Sequence, residues 1–183
     1  MRLEHLSKAF GGQQVLSELT AVFPEHGLVC VTGASGVGKT TLLRVIAGLE
    51  QPDSGEVLDA PERVSILFED DRLFGWMDAL ANITLIGANE HEAMSLLEEL
   101  GLDDKAHARI GQLSAGQARR VALARAFARP ARLYLLDEPT ARLDEANAGL
   151  VVEAILKRAK QALVIASTHD AQLVAACEQE IRL

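Results

Sequence analysis

The chain has only two cysteines, Cys30 and Cys177, and they lack the spacing of a metal site. In a reducing compartment they are not expected to pair. Cys30 lies inside an apolar stretch and reads as buried packing. No apolar run approaches the roughly 18 residues that suggest a membrane span, so direct membrane insertion is not expected. The start, Met1-Arg2-Leu3-Glu4-His5, carries no apolar signal segment. A cytosolic chain is therefore expected, and any membrane association must come through a partner. Basic excess is absent as well: net charge is −8, which argues against a general nucleic-acid binder. No internal repeat or low-complexity tract is visible. What remains is 183 residues, 49% hydrophobic, enough for one domain, 1–183, with a full core.

The most informative stretch is Gly33-Ala34-Ser35-Gly36-Val37-Gly38-Lys39-Thr40, with Thr41 behind it. It fits the phosphate-binding pattern G-x-x-x-x-G-K-[ST]. Gly27-Leu28-Val29-Cys30-Val31-Thr32 before it reads as a strand. Thr41-Leu42-Leu43-Arg44-Val45-Ile46-Ala47 after it has helical spacing. The glycines let the backbone turn and approach phosphate oxygens. The N–H groups of the turn and of the helix start then point at the anion. Lys39 adds a point charge at the β/γ oxygens, and Thr40 offers a hydroxyl to Mg²⁺.

The rest of the chain supplies a context. Residues 1–24 read as two strands around Phe10-Gly11-Gly12, and Gly55–Leu58 and Val64–Phe68 as further strands. Residues 69–129 change character, with helical segments near Asp78–Ile86, His91–Leu100 and Ala115–Ala128. Strands return at Arg132–Glu138, Ala162–Ser167 and Glu180–Leu183, with a helix over Asp144–Lys160. Strands alternating with helices imply a mostly parallel, covered sheet. The expected fold is thus α/β: a P-loop NTPase core (1–68 and 130–183), an N-terminal antiparallel β part, and a small helical subdomain (69–129). Ligands of such sheets bind at the carboxyl ends of strands. The phosphate loop, Asp137-Glu138 and His169 all fall at such ends. Asp137 can hold Mg²⁺ through water, and Glu138 is placed to orient or deprotonate an attacking water.

Leu113-Ser114-Ala115-Gly116-Gln117 resembles the signature motif of ATP-binding cassette (ABC) ATPases. Ala118–Ala126, Asp137-Glu138-Pro139-Thr140, Leu143-Asp144 and Ser167-Thr168-His169-Asp170 also look like that family, in order and rough spacing. The resemblance covers essentially the whole chain. It implies an ATPase that works as a head-to-tail pair of two copies, with Mg²⁺ and two ATP molecules at the interface. Each ATP would meet the phosphate loop of one copy and Ser114, Ala115, Gly116 and Gln117 of the other. His169 resembles the family's switch histidine at the γ-phosphate. Phe10 sits where the family usually has an aromatic ring stacked on adenine. His5, His26, His91 and His107 have no such context and are read as surface residues.

The chain also departs from the family pattern. Glu69 stands where a glutamine is usual, and is read as a metal ligand that makes ATP binding more Mg²⁺-dependent. Ala115 replaces a signature glycine, Gly75 a common proline, and Arg142 a small residue. The chain is short for the family and stops soon after His169. Asp71-Arg72-Leu73-Phe74-Gly75-Trp76 resembles import ATPases for small oxyanions such as nitrate or sulfonates. Trp76 is either core packing or part of a groove that receives a membrane permease. The implied function is the ATPase subunit of an ABC importer, held at the inner face of the membrane by that permease. A soluble ABC ATPase and an ATP-binding regulatory module with slow hydrolysis stand as alternatives.

Overall fold

Apolar residues of the central strands alternate between two cores, and this alternation organises the molecule. In the computed structural model, which describes residues 1–183, β3 (Gly27–Thr32), β6 (Leu133–Asp137) and β7 (Leu163–Ser167) are neighbours in a five-stranded parallel sheet. The sheet is completed by β5 (Val64–Leu67) at one edge and β8 (Gln179–Arg182) at the other, in the order β5-β6-β7-β3-β8. Val29, Val31, Leu133, Leu135, Leu163 and Ile165 face one core. Leu28, Cys30, Tyr134, Leu136, Val164 and Ala166 face the other. Successive side chains of a strand point to opposite faces, so a sheet covered on both sides needs these continuous apolar runs.

The first core is closed by α1 (Lys39–Ile46), through Leu42, Leu43, Val45 and Ile46. A second, antiparallel sheet also covers it. There β1 (Arg2–Phe10) lies between β2 (Gln13–Val22) and β4 (Ser54–Leu58). The antiparallel part therefore reaches beyond residues 1–24, because β4 joins it after α1. Charge pins this strand: Lys8 Nζ lies 2.8 Å from Glu50 and 3.3 Å from Asp53. Asp53 also accepts the Ala9 N–H at 2.7 Å.

The second core lies under α2 (Ala79–Thr84), α3 (Glu90–Glu99), α4 (Ala115–Phe127), α5 (Glu145–Ala159) and α6 (Ala171–Ala176). Ile83, Leu97 and Leu123 belong to the same apolar cluster as Leu136 and Val164. The helices of 69–129 thus share one apolar core with the sheet. Asn89 starts α3 with a capping box to Glu92, and Ser114 starts α4 with one to Gln117. Trp76 is 75% exposed and stacks edge-on with Phe74 at 5.3 Å. It is not core packing.

Candidate functional site

The carboxyl ends of β3, β6 and β7 lie side by side, and their loops enclose a polar cleft of about 480 Å³. Ser35, Gly36, Gly38, Lys39, Thr40, Thr41, Glu69, Asp137, Glu138 and His169 line it, with no hydrophobic residue among them. Gly38 caps α1 at φ +120°, and a Cβ there would stand 2.6 Å from Val15 Cγ1. Only glycine fits this turn, which frees the first N–H groups of α1 toward the cleft.

Lys39 is buried at the head of α1. Its ammonium donates to the carbonyls of Gly33 (3.0 Å) and Ala34 (3.2 Å), and to His169 Nε2 at 2.9 Å. An ammonium only donates, so Nε2 of His169 accepts and its ring proton sits on Nδ1. Glu138 Oε1 is 3.9 Å from the same ammonium and 3.5 Å from His169 Nε2. Cation, imidazole and carboxylate thus meet at one point.

Asp137 and Glu138 are held from β7. Ser167 Oγ donates to Asp137 Oδ1 at 2.5 Å and accepts the Glu138 N–H at 3.0 Å. The Glu138 N–H also reaches the Ser167 carbonyl at 3.1 Å. Glu138 sits at φ +48°, an uncommon backbone for a residue with a Cβ. Arg119 of α4, 1% exposed, donates to the carbonyls of Asp137 and Glu138 from the other side. Nothing in the pattern around Ser167 or Arg119 marked them as supports. Their partners are backbone carbonyls and a neighbouring strand, which only the fold brings near.

The remaining residues read from the sequence lie elsewhere. Phe10 is 48% exposed, and neither it nor Ser114, Ala115, Gly116 and Gln117 line the cleft. Ser114 and Ala115 are exposed. The Ser114 hydroxyl oxygen accepts the Gln117 N–H at 3.2 Å, which leaves its proton to donate outward. The other four histidines are exposed. Burial first, then Cys177, pushes the Cys30 thiol well above its ordinary range, as befits an inert core residue.

Thr40, Glu69 and Asp137, the residues expected to hold a divalent ion, all bring side-chain oxygens to the cleft wall. No three His, Cys, Asp or Glu side chains gather closely enough to hold one unaided. That donor set suits an ion that brings most of its ligands as phosphate oxygens and water, as Mg²⁺ does.

Phosphate loop, paired acids and strand-end histidine around one polar cleft define a nucleotide-phosphate site on a P-loop sheet. The family model for ABC transporters matches residues 16–141, and the chain belongs to that family. It is 40% identical over 182 residues to the aliphatic sulfonates import ATP-binding protein SsuB 2 of Pseudomonas fluorescens strain Pf-5, covering 93% of this chain and 68% of that protein. It is 38% identical over 176 residues to the SsuB 1 protein of Paracoccus denitrificans, covering 92% and 72%. A third relative, the SsuB 3 protein of Pseudomonas syringae pv. tomato, is 40% identical over 153 residues, covering 79% and 57%. The chain thus spans between 57% and 72% of the length of these relatives. Among solved structures, a dimeric bacterial ABC transporter cassette superposes with a TM-score of 0.89 at 26% identity, covering 100% of this chain and 93% of that one. A dimeric post-hydrolysis state of an ATP-binding cassette, bound to ADP and Pi, gives 0.87 at the same identity and coverage.

Proposed function

We propose that the chain is the ATP-hydrolysing subunit of an ABC importer for a small oxyanion of the sulfonate class. The observation that carries the enzymatic part is the all-polar cleft in which Lys39, Glu138 and His169 converge. The loop N–H groups and Lys39 hold the phosphates, and Phe10 offers a ring to the base. Glu138 orients the attacking water and takes its proton, while His169 turns from Lys39 to the γ-phosphate. Thr40, Glu69 and Asp137 would hold Mg²⁺, which supplies charge neutralisation at the β/γ oxygens. Ser114 to Gln117 of a second copy complete the site, in keeping with their exposure away from their own cleft and with the dimeric cassettes this chain resembles.

No helix is long and apolar enough to cross a membrane. In this reading a membrane permease carries the substrate and holds this subunit at the cytoplasmic face. The exposed aromatic pair Phe74 and Trp76, 5.3 Å apart, supports a partner surface there. The division into core (1–68, 130–183) and helical subdomain (69–129) would let that surface move with nucleotide state. Phosphate release from Mg-ATP by the purified protein tests the reading. Glu138→Gln is expected to lower turnover by about 10²–10⁴-fold while a fluorescent ATP analogue still binds. Absence of turnover in the unaltered chain, or full turnover in Glu138→Gln, would sink it.

A further inference from the structure

One charged network reaches past the cleft. Arg119 sits a turn into α4, and its guanidinium is almost wholly buried. It donates to the carbonyls of Phe68 (2.6 Å) and Glu69 (3.3 Å) on one side, and of Asp137 and Glu138 (3.0 Å) on the other. Its counter-charge is Asp71, at 2.8 Å. Asp71 is shared: both its oxygens accept from Arg142 Nη2, at 3.1 and 3.0 Å. Arg125 adds bonds from α4 to the carbonyls of Asp71 (2.8 Å) and Arg72 (2.9 Å).

We infer that Arg119 is a positioning residue for the hydrolysis proposed above, with Asp71 and Arg142 as a clasp that ties it to the segment following Glu138. The inference rests on that reading of the cleft. Burying a guanidinium costs several kcal/mol unless it is well paired, and an apolar side chain often fills such a place with no loss of stability. The acceptors here say what the charge does. They are the backbone of Phe68, Glu69, Asp137 and Glu138, of which the last three are the acids of the cleft. Glu138, in its uncommon backbone conformation, is held through its N–H by Ser167 and through its carbonyl by Arg119. Both peptide units that flank its Cα are thus held, which fixes the direction in which the side chain leaves the backbone.

Arg142 extends the device. It too has a positive φ, +67°. Its carbonyl lies so close to Gly116 that a Cβ there would stand 2.8 Å away. One residue therefore touches Asp71 with its side chain and the start of α4 with its backbone. Glu69, Glu138 and the signature segment are linked through a single carboxylate. Arg142 is 45% exposed against 14% for Asp71 and 1% for Arg119. The outer bond of the clasp contributes little to stability, so it can be removed without loss of fold.

The test compares kcat, KM for Mg-ATP, binding of a fluorescent ATP analogue, and Tm across Arg142→Ala, Arg142→Lys, Asp71→Asn, the Arg142→Ala/Asp71→Asn double variant, and Arg119→Gln. Arg142→Ala should lower kcat by about tenfold with KM, analogue binding and Tm nearly unchanged, since small displacements of a catalytic group cost up to about 10² in rate. Arg142→Lys should recover most of it. Asp71→Asn should lose more, and the double variant no more than Asp71→Asn alone, because residues in one network are not additive. Arg119→Gln, where it folds, should match Asp71→Asn; where it does not, the Arg142 and Asp71 arms decide. Folded Arg142→Ala and Asp71→Asn proteins with unaltered kcat would overturn the inference, as would additive losses or losses of kcat that only track Tm. Absence of turnover in the unaltered chain overturns the reading of the cleft instead, and with it any positioning role.

Discussion

At the scale of single residues, charge is placed where geometry rewards it, and Glu99 shows this away from the cleft. Arg158 grips its carboxylate with both terminal nitrogens, one at 2.7 Å, and lies over the Phe127 ring at 4.3 Å. Lys157 adds a contact at 3.2 Å. Burial alone would raise this carboxyl, but the Arg158 bonds and then Lys157 outweigh it and hold it below the usual carboxylate range. A group lowered on folding contributes stability above its unfolded value, near pH 4.3, and loses that contribution as pH falls through its folded value. Glu99→Gln should therefore cost about 1 kcal/mol at neutral pH. Denaturant unfolding should show the gap to the unaltered chain closing as pH falls below the ordinary carboxylate range. Residues of this kind separate what sequence tells from what it hides. Lys39, Asp137 and Glu138 announce themselves because local order, strand then loop then helix, fixes their chemistry. Arg119 does not. Nothing in Ala118-Arg119-Arg120 tells a buried guanidinium from a solvated one, and the Arg119 acceptors come from segments 18 to 51 residues away.

At the scale of elements, α4 joins the signature segment to the cleft. Its first residues form the exposed signature segment, and its next turn carries the buried Arg119. Ser114→Ala removes the hydroxyl that accepts the Gln117 N–H, and should cost about 1 kcal/mol in thermal unfolding without nucleotide. Hydrogen exchange should quicken at the first amides of α4 and leave those near Phe127 unchanged. The helices and parallel strands follow from periodicity, because 3.6 and 2 are local properties of the chain. The partner of β4 does not. Gly55-Glu56-Val57-Leu58 has the pattern of a strand, and the pattern is silent on which sheet it joins. The ion pairs of Lys8 with Glu50 and Asp53, more than 40 residues apart in the chain, take it to β1.

At the scale of the whole molecule, one copy carries two separate features. The polar cleft holds Lys39, Glu138 and His169, and the exposed Ser114 and Ala115 are not part of its lining. If two copies complete each other's sites, specific activity should rise with protein concentration below the dimerisation range, and light scattering should show pairing with ATP and Glu138→Gln. A rate strictly proportional to concentration through that range would count against shared sites. The bond between Lys39 and His169 carries a last consequence. The ammonium has three partners within the chain. On the proposed function, a phosphate that takes the ammonium would do so by exchange, with the imidazole as an internal competitor for the cation. The same competitor would be at hand when phosphate departs, a group of the chain itself that could take back the ammonium and ease the spent nucleotide out.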